Sequence, residues 1–186
     1  MVPVQKGLKT AGPLDLQELA VRQAYTESRL RPEIVNDKGA YGLFQIMQPA
    51  LDDYNRVNKT NYTLEDMKDA DNNIKVRNWY MDYLSNLGFI DKGDIQSDSV
   101  GMYKVLASFN AGAGNVKDAL TRAKADGKDI YDSWDWVSYL WDEPREYADF
   151  ILRGIETKGT NKNDSVYKAV STAKSGTANK IRSSVK

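Results

Sequence analysis

Glu27 is the residue whose type and place best suit it to chemistry. Leu16, Leu19, Ala20, Gln23, Ala24, Glu27 and Leu30 repeat with the 3.6-residue period of a helix, which sets Glu27 on the inward face beside Ala20 and Ala24. A carboxyl group there loses hydration, so its charged form is disfavoured and its pKa should rise. Such a group can stay protonated near neutral pH and pass a proton to a poor leaving group. The plainer reading is a helix glutamate paired with Arg22, Arg29 or Arg31. A second polar residue, Gln45, interrupts the apolar run YGLFQIM. Its amide can satisfy the backbone of a turn or face a polar ligand. Asp37, Asp52 and Asp53 follow closely enough to offer a second carboxylate, although turn and cap positions account for them equally simply.

Composition narrows the chemistry. The 186 residues include no cysteine and no histidine, so disulfides and thiolate chemistry are excluded and the commonest general base and metal ligand are missing. Acid and base work must rest on carboxylates, tyrosine or lysine. No metal-ligand pattern, nucleotide loop or phosphate loop is present, so neither a metal nor a cofactor is expected. The core also lacks a compact basic motif for nucleic acid. No apolar run approaches the roughly 20 residues that span a bilayer. The first residues, MVPVQKGLKTAGP, lack the basic-then-apolar order of a signal peptide, so this stretch is not expected to direct export.

Several elements must position Glu27. Pro13, Asp15 and Glu18 open its helix in a capping-box pattern, and Pro32 restrains Arg31 and should close it, leaving Glu27 in the last turn. Asn36 to Gly39 and Gly42 then predict two bends and a small hairpin. Asp52 to Tyr62 is polar with weak periodicity and reads as a connecting loop. Asp69 to Asn73 should cap a helix with Ile74, Arg77, Tyr80, Met81, Leu84 and Leu87 inward and Gly88 as its stop. Ser97 or Asp98 caps the next, with Met102, Val105, Leu106 and Phe109 on one side, ending at Asn110 to Gly114. Asn115 starts another, burying Val116, Ala119, Leu120 and Ala123. Trp134, Trp136 and Trp141 crowd a short segment before a last core helix, capped by Asp142 and burying Tyr147, Phe150, Ile151, Gly154 and Ile155. No internal repeat or sustained heptad appears.

Taken in order, these features resemble the soluble lytic transglycosylase family, which shares its core with goose-type lysozyme. A Glu-Ser pair on a helix matches Glu27 and Ser28. Gly-Leu-Met-Gln followed by Ile and Met matches Gly42, Leu43, Phe44, Gln45, Ile46 and Met47. Ala-Tyr-Asn-Ala-Gly matches Ser108, Phe109, Asn110, Ala111 and Gly112 with two departures. The tyrosine of a Glu-Thr-x-x-Tyr setting matches Tyr147 after Glu143, with Pro144 where threonine is usual. An Asn-Ile pair heading a middle helix, common in the family, is found at Asn73 and Ile74. The resemblance covers roughly Leu14 to Thr157.

The resemblance implies a predominantly α, lysozyme-like (α+β) fold, a single helical domain over 14–157 with a small β-hairpin beside the cleft. It implies a substrate, the glycan strands of peptidoglycan, cut at the β-1,4 bond between N-acetylmuramic acid and N-acetylglucosamine. Glu27 would protonate the glycosidic oxygen and then act as base on the C6 hydroxyl, which closes onto C1 and leaves a 1,6-anhydro sugar. The substrate's own N-acetyl oxygen would stand in for the second carboxylate of ordinary glycosidases. Ser28 would help hold the substrate or the acid. Gln45, Met47, Phe109, Asn110 and Tyr147 would contact the glycan, with the Tyr147 hydroxyl orienting the acid. Phe109 lacks the usual hydroxyl but keeps a ring that can stack on a sugar. A hydrolytic lysozyme of the same fold, and a weakly active glycan-binding component of a phage tail or secretion assembly, are the rival readings.

Charge divides the chain. Residues 158–186 hold seven Lys or Arg against Asp164 alone, while the other 157 residues hold 19 basic and 25 acidic side chains. A basic C-terminal arm on an acidic body, behind a short lead at 1–13, is the expected domain organisation. With no export signal in view, the arm points to an enzyme carried in a phage particle, bound there to other virion or tail proteins and acting on the host wall. Phage endolysins and enzymes of secretion machines fit the same features.

Overall fold

The computed structural model describes residues 15–90, 99–153 and 164–173. Among these, seven α-helices run in the order α1 (Leu16–Ser28), α2 (Gln48–Asn58), α3 (Ala70–Ser85), α4 (Ser99–Ala111), α5 (Ala113–Ala125), α6 (Asp142–Arg153) and α7 (Ser165–Thr172), with 3-10 turns at Glu65–Lys68 and Asp135–Tyr139. The fold is predominantly α, as the helical periodicities require. The stretch expected to be one domain has two packing centres. One compact unit comprises Leu16–Asp82 with α7, and the other comprises Tyr83 to Arg153, so the division falls in the last turn of α3.

In the first unit, α1 buries Leu19, Ala20, Val21, Gln23, Ala24 and Ser28. Its end is set by the backbone rather than by Pro32 alone. Arg29 and Leu30 both adopt left-handed φ values, 56° and 61°, a conformation that costs a residue with a Cβ about 1 kcal/mol or more.

The predicted hairpin is reduced to two antiparallel bridges that share Tyr41, one to Val35 and one to Ile46. Tight turns consume the residues between them. Gly39 and Gly42 take φ values of 76° and 77°, and Gln45 takes 49°.

The loop expected from Asp52 to Tyr62 is in large part a helix, α2. Pro49 presets φ in its first turn, Leu51 and Tyr54 bury one stripe, and Lys59 closes the end in the left-handed region. Polar sequence concealed this because only two residues of α2 are buried. The return to extended chain is held by Asn55, whose Nδ2 donates to the Tyr62 carbonyl (2.7 Å) while its Oδ1 accepts from Tyr62 N–H (3.0 Å). Tyr54 stacks on Tyr62 and meets Trp79 of α3 edge-on.

α3 begins at Ala70 and turns Asn73, Ile74, Val76 and Arg77 inward. The C-terminal helix α7 packs on α1, with Val170 1% exposed. Asp164 caps it, Oδ1 accepting the Val166 N–H at 2.8 Å.

In the second unit, α4 is buried all round from Val100 to Ser108 and packs against α5 and α6. Trp136 is fully buried beside Tyr103 and Trp134 is half-buried at its edge, whereas Trp141 is exposed. The Tyr103 hydroxyl donates to the Arg145 carbonyl and ties α4 to α6; burial pushes its pKa up. Lys104 is buried with Nζ over the Tyr131 ring. Phe150, expected inward, is 52% exposed, because the buried stripe of α6 runs through Pro144, Tyr147, Ala148, Ile151 and Leu152. The expected cap at Ser97 or Asp98, Gly154 and Ile155, and the lead at 1–13 lie outside the described residues.

Candidate active site

Glu27 stands half-buried in the last turn of α1. Each of the three arginines near it in sequence makes a local contact. Arg22 Nε donates to Glu18 at 3.1 Å, the Arg29 guanidinium lies over the Tyr25 ring, and Arg31 Nε donates to the Ser28 carbonyl.

Ser28 is 3% exposed, and its hydroxyl works on the backbone. Oγ lies within donating distance of the Leu43 carbonyl (2.9 Å) and the Ala24 carbonyl (3.1 Å), and it accepts the Arg31 N–H at 3.2 Å. One side chain therefore braces the left-handed stop after Glu27 and fastens it to the loop that carries Gln45.

That loop is a closed frame. Tyr41 and Ile46 exchange both backbone hydrogen bonds at 2.9 Å, and Gly42 N–H donates to the Ile34 carbonyl at 2.8 Å. Gln45, half-buried, turns Nε2 to the Gly42 carbonyl (2.9 Å) and the Ile34 carbonyl (3.3 Å). Its amide hydrogens thus satisfy the turn, which leaves the carbonyl oxygen as the polar atom for a ligand. Met47 is 45% exposed at the entrance to α2.

Beneath the loop lies Asn73, fully buried. Its Oδ1 accepts the Phe44 N–H at 3.0 Å, while Nδ2 donates to the carbonyls of Tyr41 (2.9 Å) and Met67 (2.7 Å). An asparagine can fill both roles at once because its amide presents donor and acceptor side by side. The sequence marked Asn73 only as the head of a helix. A buried amide on the inward face of that helix was the available signal.

The other expected site residues lie in the second unit. Phe109 and Asn110 occupy the last turn of α4, both half-buried, just before Gly112 breaks the helix with a φ of 84°. The NAGAG break is completed by Asn115, whose Nδ2 donates to the Ala111 carbonyl at 2.8 Å. Tyr147 is 6% exposed on α6. Glu27, Ser28, Gln45 and Met47 therefore form one group, and Phe109, Asn110 and Tyr147 belong to another.

The three candidates for a second carboxylate are placed off the Glu27 helix, in the local structure of α2 and a turn. Asp52 accepts from Gln48, Asp53 pairs with Arg56, and Asp37 is exposed in its turn. No group of three or more metal-ligating side chains occurs among the described residues, and no described helix is long and apolar enough to cross a membrane.

No curated protein and no solved structure matches the chain. A family model, the transglycosylase SLT domain, matches residues 13–131. Glu27, Ser28, Gln45, Met47, Phe109 and Asn110 fall inside this range and Tyr147 falls beyond it. With more than half of its length matched, the chain belongs to the SLT transglycosylase family, the lytic transglycosylases that cleave peptidoglycan.

Proposed function

We propose that this enzyme cuts the β-1,4 bond between N-acetylmuramic acid and N-acetylglucosamine with Glu27 as its one catalytic residue. The observation that carries the reading is the half-buried residue Glu27 at the end of a helix locked by Ser28 to the Gln45 loop. A protonated Glu27 gives its proton to the glycosidic oxygen as the C1–O bond breaks. The N-acetyl oxygen of the same sugar takes up the positive charge developing at C1. The Glu27 carboxylate then removes the C6 hydroxyl proton, O6 bonds to C1, and the acid is restored with no water consumed.

The Gln45 carbonyl oxygen and the Met47 side chain are assigned to the glycan. Phe109, Asn110 and Tyr147 are assigned to it from the family pattern. Ser28 serves the acid by holding its helix end, as its buried hydroxyl supports.

The direct test is Glu27→Gln, which keeps the shape and removes the transferable proton. Cleavage of purified sacculi should disappear while circular dichroism stays unchanged. Muropeptides from the wild type should end in the 1,6-anhydro sugar, about 18 Da lighter than a hydrolysis product because no water is added. Label from heavy-oxygen water at the new ends would establish a lysozyme instead.

The setting we propose is a phage particle, from which the enzyme opens the host cell wall during infection. Because α7 packs on α1, the arm proposed to bind other virion or tail proteins is residues 174–186, which hold Lys174, Lys180, Arg182 and Lys186 and no acidic residue.

A further inference from the structure

Arg77 lies in the interior of the first unit, 6% exposed, where it grips the neutral amide of Gln23 and also acts on the charge of Asp82. Its Nε and Nη2 both donate to Gln23 Oε1, at 2.8 and 2.6 Å, and Nη1 donates to Asn78 Oδ1 at 2.9 Å. The face of the guanidinium lies against Phe44, with Cζ 5.1 Å from the ring centroid. Burying a permanent cation is costly. Charge-assisted hydrogen bonds, the aromatic face and the nearby Asp82 carboxylate offset that cost, and the first two hold only in this geometry.

The two groups that Arg77 holds are the immediate neighbours of the proposed chemistry. Gln23 is fully buried on α1 four residues before Glu27, one helical turn away on the same face. Phe44 directly precedes Gln45, and its own N–H is fixed by Asn73, one turn before Arg77 on α3. A single rigid side chain on α3 thus touches both the acid helix and the ligand loop.

We propose that Arg77 is a positioning residue, which through Gln23 and Phe44 sets the last turn of α1 against the Gln45 loop and so fixes where the Glu27 carboxyl meets the glycosidic oxygen. This inference rests on Glu27 being the acid. Ser28 fastens the same two elements from the helix end, and Arg77 fastens them from below. Angular error in α1 would be resisted at two points five residues apart, at Gln23 and Ser28.

The decisive variant is the double replacement Arg77→Met with Gln23→Met, which exchanges a buried polar pair for apolar side chains of similar reach. Such exchanges are often neutral for stability. Turnover of purified sacculi should fall on the order of 10-fold to 100-fold, while KM and melting temperature stay near wild type. Gln23→Glu, which keeps a partner for Arg77, should retain turnover within about threefold. Should the double variant fail to fold, Arg77→Lys takes its place, since it keeps the charge and loses the fork; it should show the same loss in kcat. Wild-type kcat in the double variant or in Arg77→Lys overturns the proposal, as does a parallel fall in KM affinity and melting temperature, which would mark Arg77 as purely structural. Glu27→Gln measured alongside separates the two readings. If it is inactive while the double variant is fully active, the positioning role fails alone; if it is active, both fail.

Discussion

Gly42 and Asn73 pack so tightly that no side chain fits between them. A Cβ on Gly42 would overlap the Asn73 amide nitrogen and the Met67 carbonyl that this nitrogen holds, and φ at Gly42 is 77°. The glycine is therefore required twice, by backbone conformation and by the approach of α3 to the loop.

Gly42→Ala is accordingly expected to destabilise the protein by about 2–4 kcal/mol, the range for strain plus forced loss of buried hydrogen bonds. Asn73→Ala should cost a similar amount, because the Phe44 N–H loses its acceptor and the Met67 and Tyr41 carbonyls each lose a donor, although Tyr41 keeps the Ile46 N–H. Denaturant unfolding measures both. If the loop is one frame, the double variant will be less destabilised than the sum of the singles, since one contact cannot be lost twice. Additive losses would mean that the two residues act separately.

Asp82 supplies a pH dependence with a definite sign. It is half-buried on α3, and loss of hydration raises its pKa to about 6 while Arg77 pulls it the other way. The folded state therefore holds this proton more tightly than the unfolded chain, whose aspartates titrate near ~3.9. The stabilising contribution is full below about pH 4 and is lost as pH rises through about 6. Asp82→Asn should raise stability at pH 7 by about 1–2 kcal/mol after allowance for solvent screening, and should flatten the unfolding free energy between pH 4 and 6. Asp149, raised for the same reason, will leave a residual slope of the same sign. An unchanged profile in Asp82→Asn would show that its carboxyl is well hydrated.

The C-terminal segment separates into two experiments. Because α7 lies on α1, truncation before Asp164 removes a helix from the unit that carries Glu27. An eight-residue helix is marginal by itself in water, so its docking through Val170 is what sustains it. Val170→Asp should lower stability by about 2–4 kcal/mol, the cost of a buried unpaired charge. Removing only residues 174–186 should spare cleavage by the purified enzyme and prevent its incorporation into particles. Full incorporation of that shorter protein would refute an assembly role for the end of the chain.

Sequence by itself determined the chemistry on offer and most of the helices. The absence of histidine and cysteine left carboxylates to do acid work, and the 3.6-residue period placed Glu27 in the last turn of α1, because hydrophobic spacing along a helix is a local property. The order of Glu-Ser, Gly-Leu-Phe-Gln and Asn-Ala-Gly marks the transglycosylase SLT family, whose model matches residues 13–131.

Tertiary structure alone decided what the polar residues around Glu27 do. α2 escaped a reading by periodicity, since with only Leu51 and Tyr54 buried its amphipathic signal is thin. The hydroxyl of Ser28 and the amide of Asn73 bond to carbonyls 15 and 32 residues away, at Leu43 and Tyr41. The Arg77 guanidinium reaches Gln23 across 54 residues. Spacing along the chain cannot encode such pairs: a buried polar group takes whatever partner the folded backbone brings within hydrogen-bonding reach, and that partner is fixed only when the helices pack.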